Sequence, residues 1–94
     1  MIFIITDSIM NGTVAIGNLT TGIEAKTFNK AKAILKKTLE KNCKNNYKIK
    51  DETDGYISYT IRNEFHPVFG IMKNEPLKII GVKNDKKNAK RKTR

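Results

Sequence analysis

The segment TFNKAKAILKKTLEKNCK, residues 27–44, decides the fold, because its apolar side chains recur with the period of an α-helix. At 100° per residue one face of this helix collects Phe28, Ala31, Ile34, Leu35, Thr38, Leu39 and Cys43. Thr27 precedes the periodic residues, and its hydroxyl can accept a hydrogen bond from a free amide of the first turn. We therefore predict one amphipathic helix over residues 28–44 that packs its apolar face on a sheet.

The opposite face of the predicted helix is basic. Four lysines fall within about 60° of one another on that face: Lys30, Lys37, Lys41 and Lys44. Lys32 and Lys36 add two more cations, whereas Glu40 is the only acid. Glu–Lys pairs four residues apart, which commonly support a solvated helix, are therefore almost absent. The lysine cluster predicts either a solvated face or a surface that binds an anionic partner.

Three strands are predicted before the helix. Residues 2–10 are rich in β-branched and aromatic side chains, and Asn11-Gly12 is a pair typical of a type I′ hairpin turn. Residues 13–19 then form the partner strand. A second turn at Thr20-Thr21-Gly22 leads to a short third strand over residues 23–26, which completes a meander.

Four strands are predicted after the helix. Residues 47–50 and 56–62 flank Asp54-Gly55, another hairpin signal. In the second of these, Ile57, Tyr59 and Ile61 alternate with polar residues, as in a strand buried on one face. Residues 65–72, with Pro67 near the strand start, and residues 77–83 complete the set.

The sequence therefore predicts one α+β domain over residues 1–83, with a mostly antiparallel sheet in the order βββαββββ. Residues 84–94 contain one alanine as their only apolar residue, so we predict a disordered basic tail there. Its candidate binding residues are Lys86, Lys87, Lys90, Arg91, Lys92 and Arg94. Exposed sheet edges or faces make a homodimer one conceivable assembly.

The formal net charge of +10 is unevenly distributed along the chain. Residues 26–50 hold nine lysines against Glu40, which gives +8, and residues 83–94 hold seven Lys/Arg against Asp85, which gives +6. The two remaining segments, residues 1–25 and 51–82, each carry −2. Segregated positive blocks are typical of a surface that binds an anionic partner such as nucleic acid.

No catalytic or metal-binding pattern emerges from the sequence. Cys43 lies near a helix C-terminus, where the helix dipole disfavours a thiolate, and His66 is the only histidine. The acidic residues around Gly55 do not match the calcium-loop pattern, and the glycines form no phosphate-binding loop. We therefore predict a protein that is not an enzyme and that needs no cofactor or metal.

The predicted compartment is the cytoplasm. A single cysteine permits no internal disulfide, and the apolar run at residues 1–5 is too short for a signal peptide or a membrane span. Two hypotheses follow for the function. The first is a nucleic-acid-binding module that uses the helix lysines and the tail. The second is a small phage or mobile-element protein that docks on an acidic protein surface and inhibits a larger host protein, such as a nucleic-acid-processing defence nuclease, in the manner of anti-CRISPR proteins.

Overall fold

A five-stranded antiparallel sheet carries a single helix in the computed structural model, which describes residues 1–78. The elements are β1 (Ile2–Asn11), β2 (Val14–Glu24), α1 (Phe28–Cys43), a 3-10 turn (Lys44–Asn46), β3 (Tyr47–Glu52), β4 (Tyr56–Ile61) and β5 (Val68–Lys73). The α+β class and the antiparallel sheet are as predicted. For the described residues the order is ββαβββ, with fewer strands than predicted.

The order of strands across the sheet is β2-β1-β5-β4-β3. β5 lies at the centre because it pairs antiparallel with β1 on one side and with β4 on the other. β2 and β3 therefore form the two edges of the sheet within the described residues, and α1 connects them.

The predicted third strand at residues 23–26 is wrong, as is the turn before it. β2 pairs with β1 from Gly17 to Glu24 without interruption, so Thr20-Thr21-Gly22 lies inside the strand. A long partner strand overrides the local turn preference of these residues. At the other end of the hairpin the two loop residues are Gly12 and Thr13, and only Gly12 has a positive φ, of 67°. Glycine at the first loop position is typical of a type II′ turn, which replaces the predicted type I′ turn.

Helix α1 begins where the sequence predicts and ends one residue earlier. The Thr27 side chain accepts a hydrogen bond from the Lys30 amide at 3.2 Å, which confirms Thr27 as the N-cap. At the C-terminus Lys44 adopts a φ of 37° and starts the 3-10 turn. Its amide still donates to the Glu40 carbonyl, so the last helical turn is closed by the residue that leaves the helix.

The core lies between α1 and one face of the sheet. Its buried members are Phe3, Ile5, Ile23, Phe28, Ala31, Leu35, Leu39, Ile57, Tyr59 and Met72. Leu35, Leu39, Ile57 and Tyr59 were predicted core residues and are buried, whereas Ile61 is only half-buried at the margin of the core. Ile34 differs from the prediction, because 41% of it is exposed at the border of the helix face that packs on the sheet.

A polar contact crosses this core between β1 and β4. The Tyr59 hydroxyl donates a hydrogen bond to the Asp7 carboxylate. Burial, followed by this hydrogen bond, raises the pKa of the Tyr59 hydroxyl well above its ordinary value. A side chain at Gly70 would overlap both the Tyr59 ring and the Asp7 carboxylate, so β5 must carry glycine at the position where the tyrosine crosses it.

The strands after α1 are close to the predicted ones. β3 extends two residues further than predicted, to Glu52, and β4 ends at Ile61. The sheet face of β4 that does not meet the helix was predicted to be exposed to solvent, yet Ser58 is 4% exposed there, between Asp51 of β3 and Ile71 of β5.

The last predicted strands differ more from the structure. β5 begins at Val68, directly after Pro67, and Phe65 lies exposed in the preceding loop. Leu77 and Lys78 are outside any strand, although the Leu77 amide donates to the Ile2 carbonyl at 2.7 Å. The rest of the strand predicted at 77–83 and the predicted tail lie outside the described residues.

Candidate functional site

Helix α1 has a buried side that faces the core and an exposed side that is basic. Its buried residues, Phe28, Ala31, Lys32, Leu35 and Leu39, lie on one side. Lys30, Lys37, Lys41 and Lys44 are all exposed. Helical geometry places the first three on the opposite side of α1, and Lys44 follows directly as the C-cap. We call these four residues the lysine face. The structure thus brings together the four helix-associated residues that the sequence singled out.

No acid neutralises the lysine face within the described part of the chain. The ion pairs found there involve other lysines. Glu40, the one acid of α1, accepts a hydrogen bond from the Tyr47 hydroxyl at 2.8 Å, and this contact raises the pKa of Tyr47. The Glu40–Lys44 and Lys36–Glu40 pairs suggested by sequence spacing are absent among residues 1–78. The positive charge of the lysine face therefore remains available to a partner.

Lys32 packs against the core and is not part of the lysine face. It is 8% exposed, and its Nζ lies 3.3 Å from Glu52 Oε2 and donates to the Thr53 carbonyl at 3.1 Å. The same ammonium lies 5.2 Å from the centre of the Phe28 ring, a cation–π distance. These contacts satisfy the buried charge and attach α1 to the end of β3.

Lys36 shares this anchor. Its Nζ lies 2.7 Å from Glu52 Oε1, so one carboxylate bridges two helix lysines. The hydrogen bond from Lys36 lowers the pKa of the Glu52 carboxyl, the bond from Lys32 adds to that effect, and partial desolvation opposes it. The six lysines of residues 30–44 thus divide into two that hold the fold together and four that face solvent.

Two further basic residues lie close together beyond the end of α1, in a part that the sequence did not single out. A shallow depression beside the 3-10 turn is lined by Asn45, Asn46, Tyr47, Lys48, Thr60 and Arg62. Lys48 stands opposite Thr60 across the β3–β4 pair, and the Arg62 amide donates to the Asn46 carbonyl. The local sequence could not reveal this cluster, because the pairing of β3 with β4 brings its members together.

Apart from the lysine face, the sequence singled out the basic residues of 84–94, Cys43 and His66. Lys86, Lys87, Lys90, Arg91, Lys92 and Arg94 lie outside the described residues. Cys43 is a half-buried thiol at the end of α1. His66 lies in the loop before β5, where its Nδ1 is buried without a hydrogen-bond partner among residues 1–78. Within the same residues no group of three His, Cys, Asp or Glu side chains could hold a metal ion.

Comparison of the chain with protein-family models, with curated proteins and with solved structures finds no match. Among residues 1–78 there is also no helix with the length and apolar character needed to cross a membrane.

Proposed function

We propose that this protein is a non-catalytic nucleic-acid-binding module, in which the lysine face of α1 contacts the phosphate backbone. The observation that carries the proposal is the division of the helix lysines. Glu52 forms ion pairs with Lys32 and Lys36, whereas Lys30, Lys37, Lys41 and Lys44 are exposed and form no ion pair with an acid of the described chain. An ordinary solvated helix would carry acids among those lysines.

The spacing of the lysine face suits a phosphate backbone. Lys30 and Lys41 are eleven residues apart in one helix, which is roughly 16 Å at about 1.5 Å per residue. Duplex DNA presents about one phosphate charge per 1.7 Å of axis, so several phosphates lie within reach of such a row. Packing of α1 on the sheet orients the row before binding, which lowers the entropic cost of association.

A surface made of lysines is expected to contact the phosphate backbone of a nucleic acid more than its bases. Its ammonium is a compact point charge, whereas arginine is the usual residue for bidentate recognition of guanine. The lysine face contains no arginine, so we expect it to discriminate little between nucleotide sequences. We also expect the binding affinity to depend strongly on the salt concentration. The six basic residues of 84–94 would add further phosphate contacts. A cytoplasmic location, where Cys43 stays reduced, forms part of the same proposal.

The second hypothesis, an inhibitor from a phage or mobile element, uses the same charges differently. The lysine face would then dock on an acidic protein surface or in the nucleic-acid channel of a larger enzyme. Such a protein would bind free nucleic acid only through its general positive charge, with no preference for the lysine face, so the comparison of variants below separates the two hypotheses.

The experiment measures binding of the full chain to random duplex and single-stranded oligonucleotides at two salt concentrations. Reversal of Lys30, Lys37 and Lys41 to Glu is compared with reversal of the exposed Lys50, Lys73 and Lys78 to Glu. Each triple variant lowers the formal charge from +10 to +4, so the comparison isolates the position of the charge.

We expect the helix variant to lose most of its affinity, since repulsion is added on the rigid face, and the control to retain more. A third variant that ends at residue 83 should bind more weakly. Its slope of log K against log salt should be smaller by about 0.9 for each phosphate that the missing residues would have neutralised. Equal losses in both triple variants, or no binding by the unmodified chain at low salt, would reject the proposal.

A further inference from the structure

The edge strand β2 has an unused pairing side. Its residues Val14–Glu24 pair with β1 on one side, and no strand of residues 1–78 pairs with the other. Such an edge presents a row of backbone donors and acceptors that can accept another strand. At eleven residues β2 is the longest strand of the described chain, so the edge is extensive.

Charges and prolines, which usually protect an edge strand, are missing from residues 14–23, which we call the β2 edge; Glu24 at the end of the strand is the one charged residue of β2. From Ser8 to Ile23 the chain carries no charged side chain and no proline. Three large apolar residues of β2 are exposed, namely Val14 at 62%, Ile16 at 54% and Leu19 at 61%. The register shift near the hairpin tip could deflect a partner there, but the pairing from Gly17 onward is regular.

We propose that the β2 edge is an interface for a second copy of this chain, paired antiparallel about a two-fold axis. The absence of cations from β2 indicates which kind of partner the edge could bind. Nucleic acid or an acidic protein would require cations, and β2 has none, although the chain carries +10 in total. An identical uncharged edge matches it, because a two-fold axis brings the same residues to both sides.

The backbone pattern restricts the register. The Ala25 amide donates to the Met1 carbonyl at 2.9 Å, and these residues continue the β1–β2 register as a directly opposed, hydrogen-bonded pair. Alternation then directs the backbone groups of Asn18, Thr20 and Gly22 away from β1, toward the free edge. A second copy must form its hydrogen bonds with these even-numbered residues.

A two-fold axis at Leu19 fulfils this requirement. Asn18 of each copy then pairs with Thr20 of the other through hydrogen bonds. Leu19 faces its own copy in the closer, non-hydrogen-bonded position, where the Cα atoms are roughly 4.5 Å apart. This register places the large exposed side chain of Leu19 at the centre of the interface, where it is shielded from water.

The same symmetry brings both helices to one side of a continuous ten-stranded sheet. Ile34, exposed on α1, borders a depression that also includes Thr21 and Ile23 of β2. Apolar surface therefore extends from the β2 edge onto the helix side that would meet the partner copy. The two lysine faces would form one larger positive surface.

Disulfide trapping tests this register in the absence of nucleic acid, so its outcome is independent of the proposed function. In a Cys43→Ser background, the Leu19→Cys variant should form a disulfide-linked dimer rapidly, because roughly 4.5 Å between Cα atoms suits a disulfide. Thr21→Cys is the control, since it is also exposed and on the same strand. The Thr21 Cα atoms of the two copies would be roughly 13 Å apart and should not be linked.

A charge variant tests the interface without a cross-link. Leu19→Lys would place two ammonium groups opposite each other and should weaken the dimer roughly tenfold or more, as measured by sedimentation. Ala33→Lys adds the same charge at an exposed helix position and should leave the strength of the dimer, measured in the same way, unchanged. The proposal is overturned if the unmodified chain is monomeric at micromolar concentration, or if the two cysteine variants are linked equally.

Discussion

Single residues in this protein show why identical side chains can have opposite roles. Lys32 and Lys37 are both lysines of α1, yet Lys32 is 8% exposed beside Glu52 and Lys37 is exposed to solvent. The sequence analysis counted Lys32 only as a further cation of the helix and could not reveal its partner, because Glu52 is twenty positions away and is brought close by the fold. The structure leaves all four residues of the predicted lysine face exposed, while the structural role of the other two lysines depended on the fold.

The Glu52 carboxylate should make stability depend on pH. Its folded pKa is lowered by Lys36, then Lys32, so its contribution is present above the unfolded value of about 4.3 and is lost as pH falls through the folded value. We expect Glu52→Gln to be less stable than the unmodified chain at pH 7. This difference should shrink as the pH is lowered to about 3, as measured by urea unfolding at several pH values. A difference that stays constant with pH would contradict the two-lysine bridge.

Gly70 should tolerate no side chain. Gly70→Ala would force the Tyr59 ring away from β5 and disturb the hydrogen bond to Asp7. The expected cost is about 1–3 kcal/mol or more, by analogy with overpacked cores. Gly55→Ala is the control, because a Cβ there meets only the Thr53 hydroxyl at 3.7 Å. It should change the free energy of unfolding by less than about 0.5 kcal/mol.

Among the elements, α1 and the β3–β4 hairpin could be predicted from local sequence, whereas β2 could not. The helix has a capping residue and an apolar period, and both signals lie within the element. The end of β2 depends on β1, because Thr20-Thr21-Gly22 has local turn character that ten residues of partner strand override. Phe65 likewise has strand propensity but lies beyond the sheet, so the pairing partner decided the strand boundary there as well.

The packing of α1 provides a test at the scale of the element. Leu39 is 5% exposed in the core, and Leu39→Ala should lower the free energy of unfolding by about 2–5 kcal/mol. Ile34→Ala removes a similar side chain from the same helix at a position that is 41% exposed. It should cost less than about 1 kcal/mol in denaturant unfolding. Equal effects of the two substitutions would show that the helix is rotated relative to the sheet.

The whole molecule combines one covered sheet face, one positive helix surface and one uncharged edge. The core holds α1 through apolar contacts and through the Glu52 bridge, so the lysine face is presented on a rigid element. The uncharged β2 edge lies at the opposite side of the sheet from β3. We therefore propose different partners for the two surfaces, an anionic polymer for the lysine face and a second copy for the edge.

An NMR titration of the labelled full chain with a short duplex oligonucleotide at low salt would locate the nucleic-acid-binding surface directly. We expect the largest shifts at the exposed side of α1, including Lys30, Lys37 and Lys41, with smaller changes in β3 and β5, and disappearance of all shifts at high salt. Shifts confined to the sheet or to residues 79–94, with α1 unchanged, would show that the lysine face is only solvated and would contradict its proposed role.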